Sequence, residues 1–254
     1  MELARKTALI TGSCGEGMGR STALRLAREG ANIVLNYGTY RQGEDIQNSA
    51  EKIAKAIKKF GRQVIIQSAD TTDEQQVKAM VDSACEKFGG VDILINNTGG
   101  DWNIRDYTEI PYEYWKKVLS AEIDSVFLTM KHIVPIMRDR QWGRIIHISM
   151  SGVVQMENTS GVAPDYCLGK EVRAWMTTAY GLQEFSKGIT VNCIAPGPTE
   201  HLTFDDAVKV ASGDYSDWYK RKSVNSHDIA EIITFLCSEA GRFVSGSVIR
   251  LPMI

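Results

Sequence analysis

The sequence predicts a single α/β domain, a doubly wound parallel sheet with helices on both faces. Two observations lead there. Short β-branched, apolar runs alternate with longer stretches of helical periodicity, the pattern of strands buried on both sides by crossover helices. No Gly/Ser/Pro-rich linker divides the 254 residues, of which only six are proline, so one domain spans 1–254.

The elements follow in order. Thr7–Ile10 reads as the first strand and Ser21–Arg28 as the helix returning from it. Ile33–Leu35, Val64–Ile66, Val91–Ile95, Arg144–Ile148, Thr190–Ile194 and Val248–Leu251 read as the later strands. Helical spacing of apolar residues covers Ser49–Phe60, Glu74–Phe88, Glu113–Met137, Tyr166–Phe185 and Asp228–Ser238. Gly30, Gly61 and Gly89 each follow a helical stretch, where a left-handed residue ends a helix. The segment Thr199–Ser223 breaks the rhythm and is expected to be a substrate lid or a plain surface insertion.

Composition narrows the function classes. Apolar residues make up 43% and charged residues 24%, which is ordinary for a globular protein. Twenty-nine basic against 31 acidic residues give a net charge of −2, and the longest basic cluster is Lys220-Arg221-Lys222. No phosphate-tracking surface is expected, so nucleic acid is excluded as a partner. No apolar run approaches the ~18 residues of a membrane span. Five scattered cysteines without a Cys-x-x-Cys pair, and histidines without i, i+4 pairing, argue against a disulfide framework or a zinc site. They suggest a cytoplasmic protein.

After the first strand comes Thr11-Gly12-Ser13-Cys14-Gly15-Glu16-Gly17-Met18-Gly19-Arg20. Such a turn brings the backbone close to a phosphate whose charge the following helix N-terminus meets. It is not a P-loop, because Met18 stands where the lysine belongs, and it is not G-x-G-x-x-G, because Arg20 breaks that pattern. Further motifs lie on the later elements: Asp92-Ile93-Leu94-Ile95-Asn96-Asn97-Thr98-Gly99, Tyr166-Cys167-Leu168-Gly169-Lys170 and Asn192-Cys193-Ile194-Ala195-Pro196-Gly197. Together and in this order they resemble the short-chain dehydrogenase/reductase family, from Lys6 to about Leu251.

The resemblance implies a Rossmann-type fold that binds NAD or NADP. By position it implies that Gly12, Gly17, Met18 and Gly19 line the pyrophosphate. Asp70 and Thr71 would meet the adenine, Asn97 and Gly99 the adenosine ribose, and Pro196 and Gly197 the nicotinamide. The loop has one residue more between its first two glycines than the family's. The acidic position that holds a ribose 2′-hydroxyl falls on Tyr37, so no carboxylate repels a 2′-phosphate. Arg41 follows closely, either as a phosphate partner or as a solvated loop cation. NADP is therefore expected, with NAD possible.

Interconverting a carbonyl and an alcohol requires a proton donor and acceptor. A tyrosine with a lysine four residues later on the same helical face suits this, because the lysine charge favours tyrosinate. Tyr166 and Lys170 have that spacing, and the resemblance makes Lys170 a cofactor-ribose anchor as well. The family's serine position falls on Met150, whose thioether cannot donate a hydrogen bond. Ser151 is the preferred substitute and Ser149 the other. The family's asparagine position falls on Glu122, which sits within the apolar stripe Trp115, Val118, Leu119, Ile123, Val126, Phe127, Met130 and Val134. A carboxylate there needs a partner. Lys170 is the candidate, in which case Glu122 partly cancels the charge acting on Tyr166; the alternative is that Glu122 reaches a helix edge or subunit boundary.

The leading expectation is an NADP-preferring oxidoreductase acting on a small organic carbonyl or alcohol. Trp102, Val153, Met156, Trp218 and Tyr219 are candidates for a mostly apolar substrate pocket. The alternatives are a dinucleotide-binding protein without turnover, or a different reaction on the same scaffold. The resemblance also implies a homodimer or homotetramer joined through the two longest helices, with the apolar tail Leu251–Ile254 buried in a partner.

Overall fold

A computed structural model describes residues 2–38, 44–151, 163–215, 221 and 223–251. Seven parallel strands form one sheet in the order β3-β2-β1-β4-β5-β6-β7. They are β1 (Thr7–Ile10), β2 (Asn32–Tyr37), β3 (Val64–Ser68), β4 (Ile93–Asn96), β5 (Gly143–Ile148), β6 (Ile189–Ala195) and β7 (Val248–Arg250). The order reverses between β1 and β4, which leaves a crevice beyond their C-terminal ends, where open α/β sheets bind ligands.

The helices are α1 (Met18–Arg28), α2 (Glu44–Lys59), α3 (Glu74–Phe88), α4 (Tyr112–Leu119), α5 (Ser125–Asp139), α6 (Pro164–Phe185), α7 (Phe204–Ala211) and α8 (Ser226–Cys237). Two apolar layers sandwich the sheet. One packs Leu24, Ile53, Ile57, Ile233 and Leu236 against Ile10, Ile33, Ile95 and Ile146. The other packs Val77, Met80, Val126, Ile133 and Met176 against Leu9, Val34, Leu94 and Val191. Each buried strand alternates its residues between the two layers, so both faces must be apolar.

Two expectations are corrected. Glu113–Met137 is not one uniform α-helix: α4 and α5 are joined by a π-helical turn, Ser120–Asp124. The extra residue in that turn shifts the helical register at Glu122. The fourth strand starts at Ile93 instead of Val91, because the Asp92 carboxylate accepts the Thr7 N–H at 2.8 Å as the strand begins. The irregular 199–223 segment contains α7, capped by the Thr203 hydroxyl on the Asp206 N–H.

Candidate active site

The glycine turn lies beyond β1. Gly12 (φ 62°) and Gly17 (φ 121°) adopt left-handed backbone that side chains disfavour. A Cβ on Gly19 would sit 2.7 Å from the Gly12 carbonyl oxygen. Gly17 caps α1 with no side-chain hydrogen bond, and the first turn of α1 carries no acid. The helix N-terminus there has positive dipole character and meets no acid within its own first turn, which fits a dinucleotide pyrophosphate. Met18, the first residue of α1, is half-buried.

Two asparagines brace this turn. Asn97 donates through Nδ2 to the carbonyls of Thr11 and Gly12, at 3.0 and 3.1 Å. Asn36 accepts the Gly12 N–H at 3.2 Å and donates to the Ala69 carbonyl at 3.0 Å. Asn36 was not among the sequence candidates; an asparagine directly after the apolar run Ile33–Leu35 was its only signal, and the fold buries it completely. His201 was also missed. A Cβ on Gly17 would lie 3.1 Å from the His201 ring, because Arg20 donates to the Leu202 carbonyl and holds that segment against α1.

The remaining cofactor candidates border the crevice. Tyr37 ends β2, half-buried. Asp70 is engaged by the Thr72 hydroxyl at 2.7 Å, and Thr71 beside it is buried. The Pro196 carbonyl accepts the Ser151 N–H at 2.8 Å, and the Gly197 carbonyl accepts the Thr199 hydroxyl at 3.0 Å. Arg41, Val153, Met156, Trp218 and Tyr219 lie outside the described residues. Trp102 packs edge-on against Tyr166, with ring centroids 5.4 Å apart.

α6 presents Tyr166 and Lys170 one turn apart, with Lys170 Nζ 4.9 Å from the Tyr166 ring centroid. Burial foremost, then Glu122, pushes the phenol above its ordinary pKa, and Arg173 pulls it back. Burial also drives Lys170 down to about 8, helped by Arg173 and opposed by Glu122. The two hydroxyls differ. Ser149 donates to the Lys170 carbonyl at 2.7 Å, stapling β5 to α6. Ser151 is buried beside the Pro196 loop.

Glu122 is fully buried at the π turn, not at a helix edge. Its Oε2 lies 3.1 Å from Lys170 Nζ, as expected, and 2.9 Å from Arg173 Nε. Its Oε1 accepts the Gly100 N–H at 2.7 Å. Gly99 and Gly169 leave room for it: a Cβ on Gly99 would fall 2.9 Å from Lys170 Nζ, and one on Gly169 2.7 Å from Glu122 Cγ. Arg173 was also missed. Its signal was its place three residues after Lys170 on one helical face.

The profile of a family described as Enoyl-(Acyl carrier protein) reductase matches residues 13–251. The chain belongs to the short-chain dehydrogenase/reductase family. Among its relatives are the cyclohexanol dehydrogenase of Acinetobacter sp., 29% identical over 95% of this chain and 91% of that one. The D-beta-hydroxybutyrate dehydrogenase of Rhizobium meliloti is 33% identical over 76% of this chain and 70% of that one. Of solved structures, a mutant short-chain dehydrogenase/reductase of Serratia marcescens superposes with TM-score 0.82 at 25% identity, covering 99% of this chain and 98% of that one. A short-chain dehydrogenase of Burkholderia cenocepacia, in complex with NADP, gives TM-score 0.81 at 23% identity over 100% and 98%. The chain is accordingly an NAD(P)-dependent oxidoreductase interconverting a carbonyl and an alcohol on a small organic substrate. No helix among the described residues is long and apolar enough to cross a membrane, and no cluster of metal-ligating side chains occurs among them.

Proposed function

We propose that this oxidoreductase prefers NADP and acts on small secondary alcohols or the matching ketones. Tyr166 is its acid/base and Lys170 the charge that makes the phenol usable. The observation that carries this reading is the Lys170 ammonium 4.9 Å from the Tyr166 ring, at the crevice end of the sheet beside the glycine turn. The cofactor, when bound, takes up or gives the hydride at its nicotinamide ring. The chain's own residues do the rest. In the oxidation direction Tyr166 Oη accepts the alcohol's proton; in reduction it returns one to the carbonyl oxygen. Lys170 holds positive charge beside the phenol and a cofactor-ribose hydroxyl. Ser151, whose backbone is tied to Pro196, supplies the hydrogen bond to the substrate oxygen that Met150 cannot. Ser149 is the second candidate, with its hydroxyl already donating to Lys170 O.

Gly12, Gly17, Met18 and Gly19 hold the pyrophosphate, Asp70 and Thr71 the adenine, and Asn97 and Gly99 frame the ribose. Pro196 and Gly197 flank the nicotinamide. The lack of an acid at Tyr37 supports the NADP preference, and Arg41 is the proposed 2′-phosphate partner. The whole chain, 1–254, acts as one domain, with 199–223 as its substrate lid, of which 216–220 and 222 lie outside the described residues. Five free cysteines support a cytoplasmic location. Phe127 on α5 and Trp175, Leu182 and Phe185 on α6 are exposed apolar side chains, which supports pairing of these helices between two subunits.

The test is Tyr166→Phe assayed on a panel that includes cyclohexanol, 3-hydroxybutyrate and their ketones. Turnover should fall by about 10²–10⁴-fold while the Kd for NADPH barely moves. Turnover equal to that of the unmodified protein would remove Tyr166 from the chemistry.

A further inference from the structure

The reading of Tyr166 above depends on a positive charge reaching it from Lys170, and a buried carboxylate in contact with that lysine works against it. Arg173 changes the balance. Its Nε lies 2.9 Å from Glu122 Oε2, closer than Lys170 Nζ at 3.1 Å, a contact of charge without a hydrogen bond, since the Nε hydrogen goes to the Glu122 backbone carbonyl. The guanidinium is fully buried and cannot swing away. It donates to the Glu122 carbonyl at 2.8 Å, to Ala121 O at 3.2 Å, to Thr98 O at 2.6 Å and to Ile148 O at 3.1 Å. These carbonyls belong to the π turn and to the chain leaving β4 and β5, so one side chain ties together three of the segments that frame the site. Glu122 in turn is positioned by the Gly100 N–H and by the space that Gly99 and Gly169 leave.

We propose that Arg173 is a positioning residue for the hydride-transfer reaction: its fixed charge offsets the Glu122 carboxylate, so that one net positive charge remains beside the Tyr166 phenol. The inference rests on the acid/base reading of Tyr166. Glu122, Lys170 and Arg173 together leave one net positive charge beside the phenol. Without Arg173 the remaining pair is neutral, and without both Glu122 and Arg173 the lysine's charge stands alone again. Arginine suits the role because it stays protonated at every working pH.

The other titratable groups packed here do not alter the count near neutrality. Burial, then Arg173, drives the His147 imidazole on β5 down to about 3, so it stays neutral. Burial pushes the Cys193 thiol on β6 up to about 11 and the Cys167 thiol upward too. Asp165, which accepts the Tyr166 N–H at the start of α6, is the same in every variant compared and drops out of the difference.

The experiment follows the pH profile of alcohol oxidation, with saturating oxidised cofactor and the best alcohol from the panel above. In Arg173→Met the rising limb should move up by ~1 pH unit or more, about a tenfold loss of the reactive tyrosinate at a given pH. Arg173→Lys, whose buried amine holds its charge less firmly than the guanidinium, should move the limb less than Arg173→Met does. The double variant Glu122→Gln/Arg173→Met should bring it back toward that of the unmodified protein. Should Arg173→Met not fold, Arg173→Gln removes the charge while keeping donors for the carbonyls, and must show the same upward shift. A purely structural arginine would lower turnover or stability without moving the limb. That result, or a double variant no closer to the unmodified profile than the single one, overturns the proposal. Tyr166→Phe in the same assay separates the two readings: oxidation indifferent to it defeats the acid/base assignment itself, whatever Arg173 does.

Discussion

Replacing Lys170 by methionine isolates the cost of placing an ammonium inside the fold. Lys170 is almost wholly buried, and its pKa falls from 10.5 to about 8. Between those values the unfolded chain holds a proton that the folded chain has lost, so stability rises with pH across that window. The penalty is fully present below about pH 8 and gone above about 10.5. A shift of this size corresponds to about 3 kcal/mol, rising at up to ~1.4 kcal/mol per pH unit. Lys170→Met lacks this titration, and Glu122 keeps the Arg173 charge at 2.9 Å and the Gly100 N–H on its other oxygen. The measurement is urea unfolding of both proteins at several values between about pH 7 and 10, at one fixed protein concentration. Taking the difference matters, because Tyr166 and buried Cys14, Cys193 and Cys237 have raised pKa values and make stability fall with pH in the same range. The unmodified protein should gain on Lys170→Met as pH rises. A flat difference would refute the reasoning. A falling one would show that attraction to Glu122 outweighs burial and holds the lysine above its unfolded value.

Three further outcomes are expected. Tyr37→Asp should turn the preference from NADPH toward NADH, read as the ratio of the two Kd values by fluorescence titration; an unchanged ratio removes Tyr37 from cofactor selection. Gly169→Ala should displace the Glu122 carboxyl, since the new Cβ would meet Glu122 Cγ at 2.7 Å, and overpacking of this kind costs about 1–3 kcal/mol in urea unfolding; a neutral effect would mean that the π turn yields freely. Light scattering should give a dimer or tetramer, and Leu182→Lys on the exposed face of α6 should lower the mass, whereas a monomer at all concentrations would contradict pairing through these helices.

Local periodicity carried the fold. Ile10, Ile33, Ile95 and Ile146 lie in short apolar runs, and such runs can only be buried on both faces. The parallel order follows from the helices between them. Periodicity also placed Tyr166 and Lys170 on one face of α6 and marked Glu122 as a carboxylate in an apolar stripe, because both are statements about residues within a turn or two. What answers Glu122 was settled only in three dimensions. The bond from Arg173 spans 51 residues, and that from Asn97 to the glycine turn 86. Nothing in the spacing of residues says which buried donor will meet which carbonyl, since that depends on how β4, β5 and α6 converge. The same holds for Ser149, whose hydroxyl looked free to serve a substrate and in the fold donates to the Lys170 carbonyl. His201 reaches Gly17 only because Arg20 fastens the 201–204 segment to α1. A residue's chemistry is legible in sequence, but its partner is chosen by packing, because a buried polar group must be satisfied by whatever the tertiary structure brings within reach.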